Sequence, residues 1–463
     1  RMNKDKVTVN ELELDVLSVQ LDECRPGDRR LTEEDVQQVL EMARSPTIME
    51  DLIRSIAPGI RGNDVVKEAL LLQQVGGVTK HLDDGQKFRG DTHILLVGDP
   101  GVAKTQLGRY MAELAPRGVY ASGKSSTAAG LTAAAVKDDF GEGRWTLEAG
   151  ALVQADMGLA VVDEMDKMTD QDRSAMHEAM ESQRVSVAKA GITASLQCRC
   201  SVLGIANPKY GRFDSDQPLA EQIDLPPALL SRFDLIFALI DKPNPERDRS
   251  IAEHICRGHQ RAGALKHANE GDAEADSILA STQDLTPVYD RDQVRRYLLY
   301  ARTVQPILGR DATDAMVTRY LTIRSMSDTR SGSATVPITP RQMEAFIRLA
   351  EASAKLRLSK RVEAQDAQRA VDIVQEYLRS FGTSENGTPD IDRIATGRSS
   401  KDRQRLQSVE SIIKDRKDLS MEELLEDCKT HGIGEAEVNR VVDKLKDTGR
   451  LYEPTVGRLR VIT

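Results

Sequence analysis

Apolar positions along the chain fall into two kinds of pattern. Between residues 94 and 240 they form short continuous runs bounded by turn residues: Ile94–Val97, Gly118–Tyr120, Gly158–Val162, Val202–Ile205 and Leu235–Ile240. Runs of that length read as strands buried on both faces, the pattern of a parallel sheet. Gln106–Leu114 predicts a helix after the first run, and Ser125–Asp138 with Leu147–Asp156 predicts one helix interrupted at the glycine-containing Phe140–Trp145. Residues 184–200 alternate instead, around Lys189-Ala190-Gly191, and predict a β-hairpin with Lys189 near its tip. From Pro243 the period turns helical, over 245–260, 291–304, 311–326, 340–358 and 364–380, with an acidic, low-signal loop at 266–288.

The flanks divide the chain further. Residues 5–20 alternate (Val7, Val9, Leu12, Leu14, Val16) before Pro26-Gly27, so 1–30 reads as the tail of a preceding domain. Thr32-x-x-Asp35 is a capping-box pattern that opens a linker helix within 31–45. Two more helical segments lie in 46–76, split by Ala57–Gly62, and polar Lys80–Gly90 leads into the first strand. The expected organisation is an α/β core over 46–242, a helical lid over 243–381, a Gly/Ser/Thr/Asp linker over 382–401, and a last domain over 402–463. That last domain reads as three helices (404–416, 420–430, 435–448) and two strands turned at Val456-Gly457, a winged helix-turn-helix. No internal repeat is visible.

Composition narrows the function classes. Net charge is −9 over 463 residues, so contact with a polyanion has to be local, on a loop or in a channel. Aromatics are 4%, which leaves few stacking platforms for bases. Five cysteines form no CxxC pair, which suits a reducing interior better than a disulfide framework. His254-x-Cys256-x-x-His259 does not converge on one helix face and is set aside as a metal site. No apolar run approaches the roughly 20 residues of a membrane span, and Arg1-Met2 reads as an artificial start, so a soluble intracellular protein is expected.

The chemistry gathers at strand ends. The first strand runs into Gly98-Asp99-Pro100-Gly101-Val102-Ala103-Lys104-Thr105, after which Gln106 continues a helix. Such a loop points backbone N–H groups and a helix N-terminus at an anion. Lys104 would then reach the outer phosphates of a nucleotide and Thr105 would ligate Mg²⁺. Ala103 stands where the pattern expects a second glycine. Asp163 and Glu164 close another strand, 59 residues after Lys104; one carboxylate would hold the metal and the other polarise water. Asn207 ends a third strand, as a water-orienting amide or as a turn former before Pro208. Ser231-Arg232-Phe233-Asp234 precedes the last strand.

Together these features resemble an AAA+ P-loop NTPase. Gly98–Lys104 with its alanine, Ser125–Ala133, Leu147–Val153, Asp163-Glu164-Met165-Asp166-Lys167-Met168 and Ser231–Asp234 resemble the minichromosome maintenance (MCM) family of replicative DNA helicases, over about residues 32–358. The resemblance implies an α/β AAA+ core with a parallel sheet, a helical lid and a small C-terminal winged helix, of archaeal type. It implies ATP and Mg²⁺ as cofactors, with Gly98 to Gln106 and Asn207 on the nucleotide and Thr105 and Asp163 on the metal. It further implies that Lys104, Asp163, Glu164 and Asn207 act in one subunit, with Arg232 as an arginine finger and Arg341 as a sensor reaching a neighbour. The 140–145 interruption, with Arg144, and the Lys189 hairpin match inserts that face DNA. Implied partners are single-stranded or forked DNA, copies of the chain in a homo-hexameric ring, and other replication proteins through the winged helix, with no membrane. Travel would be 3′→5′, in the cytoplasm or nucleoid. Lys124, Met165 and Gln154 depart from the usual residues, and the family's zinc and OB-fold domain is missing apart from its last strand. The alternatives are a related AAA+ remodeller, of chelatase or transcription-activator type, and a DNA-binding scaffold with ATP as an assembly switch. Residues 401–463 carry 13 Lys/Arg and 13 Asp/Glu, a balance that favours protein contact over a main DNA site.

Overall fold

The computed structural model describes residues 31–124, 128–137, 145–189, 192–214, 219–267, 272–325 and 340–381, with 419–420, 424, 438, 442, 451–455 and 458–461 near the C-terminus. The apolar runs become β1 (Ile94–Gly98), β2 (Gly118–Ser122), β3 (Leu159–Asp163), β4 (Ser201–Ala206) and β5 (Leu235–Leu239). They form one parallel sheet in the order β5-β1-β4-β3-β2. Every residue of β1, β3 and β4 is buried, which is why these runs show no alternation. The Lys104–Leu114 helix packs on β2, β3 and β4. Each fully buried leucine stabilises by about 2 kcal/mol. The sheet interior is thus held by carbon, and polar residues gather at the strand ends.

After β5 the described chain is mainly helical, with Pro245–His267, Ala273–Ser281, Arg291–Thr303, Arg310–Ser325, Pro340–Leu356 and Ala364–Phe381. Pro340–Leu356 and Ala364–Phe381 pack on each other, and both touch the Asp64–Val75 helix of the core. Polar contacts fasten the seam: Val78 N–H donates to Glu351 at 2.8 Å and Lys355 Nζ donates to the Gly77 carbonyl at 2.7 Å. Thr32 and Asp35 form the expected reciprocal cap on the Glu33–Met42 helix.

Three expectations are corrected. The predicted helix over 125–156 gives way to paired strands: Ala133–Lys137 pairs antiparallel with Trp145–Ala149, and the described helices are short, Ala128–Leu131 and Ala151–Gln154. Alanine's helix propensity suggested otherwise, and cross-strand pairing with Trp145-Thr146-Leu147 overrides it. The low-signal loop at 266–288 contains the Ala273–Ser281 helix, capped by Asp272, and its early acids Glu274 and Asp276 are what a helix N-terminus favours. The polar lead-in at 80–90 holds a two-residue hairpin, Lys80–His81 with Lys87–Phe88. Residues 1–30, the linker at 382–401, Arg144 and most of 402–463 lie outside the described residues. In that last segment Leu451–Thr455 pairs with Arg458–Val461, which also takes Leu419–Ser420.

Candidate active site

Loops from β1, β3, β4 and β5 leave the sheet at its carboxyl edge, the place where open parallel sheets hold ligands. β1 ends at Gly98, where a Cβ would lie 2.6 Å from the Leu239 carbonyl oxygen. Glycine therefore lets the loop start against β5. The chain passes exposed Pro100 and Gly101 and half-buried Val102, and reaches Ala103 at φ 61°. That left-handed backbone explains the glycine expected there, and alanine carries a cost of about 1 kcal/mol for it. Asp99 is committed to the protein: its Oδ1 accepts from Phe213 N–H at 2.8 Å and its Oδ2 from Asp241 N–H at 2.9 Å. The expected nucleotide role narrows there to the main chain, while the carboxylate ties the loop to the segments after β4 and β5.

Lys104 is buried, and its ammonium donates to the carbonyls of Gly98 and Asp99, both at 2.6 Å. Burial pulls its pKa below the usual lysine range, and Asp99, Asp163 and Asp166 push the other way. The Lys104–Leu114 helix has no side-chain N-cap. First-turn N–H groups, with exposed Thr105 and Gln106 beside them, thus remain for an anion.

Asp163 is the hub of the acidic side. Its Oδ2 accepts from Thr105 Oγ1 at 2.9 Å and from the Tyr120 hydroxyl at 2.5 Å, while its Oδ1 accepts from Glu164 N–H at 2.8 Å. Glu164 takes a left-handed backbone at φ 54°, and its carboxylate accepts from Ser122 Oγ at 3.0 Å. Asn207, directly after β4, is held through its N–H on Asp166 Oδ1 at 3.1 Å. Sequence reasoning did not assign site roles to Tyr120, Ser122 and Asp166. Strand pairing places Tyr120 and Ser122 there, since β2 lies against β3 with Ser122 opposite Asp163, and no local pattern carries that.

Arg232 and Arg341 are brought together, away from Lys104. Arg341 donates to the Ser231 carbonyl, and Arg232 donates from Nε to His177 Nε2 at 3.1 Å and pairs with Glu181 at 2.6 Å. Burial and then the charge of Arg232 lower the Arg341 pKa. Leu235 lies opposite Ile94 and Leu239 opposite Gly98. Arg232 therefore precedes β5 at the amino edge of the sheet, and the phosphate-type loop leaves the carboxyl edge. Five strand residues at about 3.3 Å each put roughly 16 Å between those edges. Behind Arg232, buried Asp234 accepts from Arg89 at 3.0 Å, from Arg348 and from His93 N–H at 2.8 Å. Lys189 ends the hairpin Arg184–Lys189/Ile192–Gln197, paired with Ile192.

A buried ammonium, an uncapped helix N-terminus and a hydroxyl–carboxylate pair at one strand edge fit a triphosphate with a hard divalent cation. The MCM P-loop domain family matches residues 35–259 and the MCM AAA-lid domain family matches residues 292–378. The chain is 40% identical over 452 residues to the minichromosome maintenance protein MCM of Saccharolobus solfataricus, covering 96% of this chain and 62% of that protein. It is 41% identical over 417 residues to DNA replication licensing factor MCM4 of Arabidopsis thaliana, covering 88% of this chain and 47% of that one. It is also 41% identical over 367 residues to DNA replication licensing factor MCM3 of Gallus gallus, covering 72% and 44%. The chain thus spans about half of the length of these relatives. Two family matches that together cover more than half of the chain, with a relative 40% identical over 96% of it, lead to one assignment: the chain belongs to the minichromosome maintenance (MCM) family.

Proposed function

We propose that this chain is the ATP-hydrolysing motor of a ring-forming DNA helicase of replication, working on single-stranded or forked DNA in the 3′→5′ direction. One observation carries the reading: the loop with Lys104 and the arginines Arg232 and Arg341 sit at opposite edges of one sheet. A complete site therefore takes two copies of the chain, and a homo-hexamer is the assembly proposed.

In this reading Thr105 and Asp163 would hold Mg²⁺, which would supply Lewis-acid charge neutralisation at the phosphates. Lys104 neutralises the outer phosphates, and Gly98 to Gln106 cradle them with main-chain N–H groups. Glu164 polarises the attacking water once released from Ser122, and Asn207 orients it. Arg232 and Arg341 of the next copy act on charge that develops in the transition state. Lys189, with Arg144 in the segment between Lys137 and Trp145, contacts DNA phosphates. Residues 46–242 form the core, 243–381 the lid and 402–463 a winged helix open to other replication proteins. The names of the relatives, which speak of replication licensing, agree with this, and an archaeal-type cell with the protein at the nucleoid is the setting proposed.

The test is strand separation of a forked duplex with Mg-ATP, beside ATP turnover with and without single-stranded DNA. Separation that needs a 3′ tail is expected. Turnover indifferent to DNA, with no separation, would overturn the helicase reading in favour of a remodeller.

A further inference from the structure

One helix touches three separate parts of the machinery. Asp170–Ser182 starts at the reciprocal cap Thr169–Asp172 and is anchored by buried Met176, Ala179 and Met180. Near its start, Arg173 donates to the Asp166 carbonyl at 3.0 Å, and Asp166 is the residue that holds the Asn207 N–H. One face later, His177 and Glu181 meet Arg232. These two are four residues apart, one turn of helix, and so present a single face to the guanidinium. The helix then ends at Gln183, in a left-handed conformation, and Arg184 begins the hairpin that carries Lys189. Gln183 is itself pinned: it accepts from Lys87 Nζ at 2.6 Å, donates to Asp91, and its carbonyl takes the Cys198 N–H at 3.0 Å. The base of the hairpin and the C-terminus of the helix therefore move as one piece.

We propose that His177 and Glu181 are positioning residues for Arg232, and that their helix passes the position of the DNA hairpin to the arginine that completes a neighbour's site. The inference rests on the reading of Arg232 as acting on a neighbour and of the 184–197 hairpin as the DNA contact. Held at Nε by His177 and at Nη2 by Glu181, the guanidinium has its plane fixed by two acceptors. The Glu181 side chain is 52% exposed. An ion pair that open to water adds little to stability, so removing it redirects the arginine without unfolding the helix.

The experiment compares the 463-residue chain with His177→Ala/Glu181→Ala, with His177→Gln and with Arg232→Ala. Thermal melting serves as the folding control. In the double variant turnover should fall about tenfold, the value of one positioned charge-assisted hydrogen bond. The KM for ATP should stay within about twofold, because the lost contact acts on the transition state of another copy. Single-stranded DNA, followed by anisotropy of a labelled oligonucleotide, should still bind with affinity within about twofold while no longer changing turnover. His177→Gln keeps an acceptor for Arg232 Nε and should hold turnover and DNA response near those of the parent. A folded double variant that still answers DNA as the parent does overturns the inference, as does a His177→Gln variant no better than the double one. A parent chain indifferent to DNA, or an Arg232→Ala variant with full turnover, sinks the underlying reading instead, and the inference with it.

Discussion

The Tyr120 hydroxyl and the Thr105 hydroxyl donate to the same oxygen of Asp163, at 2.5 and 2.9 Å. Burial, and then the neighbouring Asp163, raise the Tyr120 pKa, so the phenol stays a donor at neutral pH. Tyr120 thus aims the carboxylate that is proposed to meet the metal. Tyr120→Phe should raise the Mg²⁺ concentration for half-maximal turnover about tenfold, the usual effect of losing an outer partner of a metal ligand. Titrating turnover with Mg²⁺ checks this, and an unshifted curve removes Tyr120 from that role.

Ala103 offers a test on stability. At φ 61° it bears strain that glycine would not. Ala103→Gly should gain at most about 0.5 kcal/mol, strain relief less the extra freedom of an unfolded glycine. Ala103→Val should lose more than that, since a β-branched side chain fits the left-handed region worst. Urea unfolding measures both.

The proposed sharing of the site between copies predicts three different defects. Lys104→Ala should bind ATP weakly. Glu164→Gln should bind it and turn it over about a hundredfold more slowly or worse, as loss of a general base does. Arg232→Ala should keep binding and lose turnover, because its charge matters only in the transition state. Mixing Arg232→Ala with Lys104→Ala chains should restore some hydrolysis. Mixtures no better than either variant would show that the arginine does not act across a boundary.

Asp234 gives the fold a pH edge. Burial by itself would raise its pKa, yet Arg348 and Arg89 dominate and hold it down to about 2. A carboxylate whose folded pKa lies below its unfolded value of about 3.9 adds stability above that pH and loses it as pH falls toward 2. The contribution is about 2–3 kcal/mol. Unfolding free energy should therefore drop between about pH 4 and 2 in the parent and less steeply in Asp234→Asn. That variant should also be weaker at neutral pH by about 3 kcal/mol, having left two guanidinium groups short of their partner.

Lys189 is expected to answer to salt. Lys189→Ala should weaken single-stranded DNA binding and lessen the dependence of log K on log salt by about 0.7, one released counterion. Equal slopes for parent and variant would take Lys189 off the phosphate backbone.

Much of this was readable from local pattern. The apolar runs became strands because both faces of the sheet are covered, and the loop around Lys104 and the pair Asp163-Glu164 stand where such strands end. What could not be read joins distant residues. Asp234 meets Arg89 145 positions before it and Arg348 114 after it, and the period of one segment says nothing of its partners in another. Tyr120 looked like one more strand residue until pairing with β3 set it beside the acidic end. The hairpin Ala133–Lys137/Trp145–Ala149 was misread because an alanine run favours a helix by itself and takes strand form only with a partner alongside.

The opposed edges of the sheet also set a rule of counting. A copy of the chain carries one loop and one arginine pair, facing away from each other. In an open row, the first copy has a loop that no arginine reaches and the last has arginines with no loop to serve. The row thus holds one fewer working site than it has members, and closing it into a circle supplies the missing one. If the site is shared between copies as proposed, turnover per copy should rise with concentration and reach its ceiling only when no end is left free, so that activity would report how complete the assembly is.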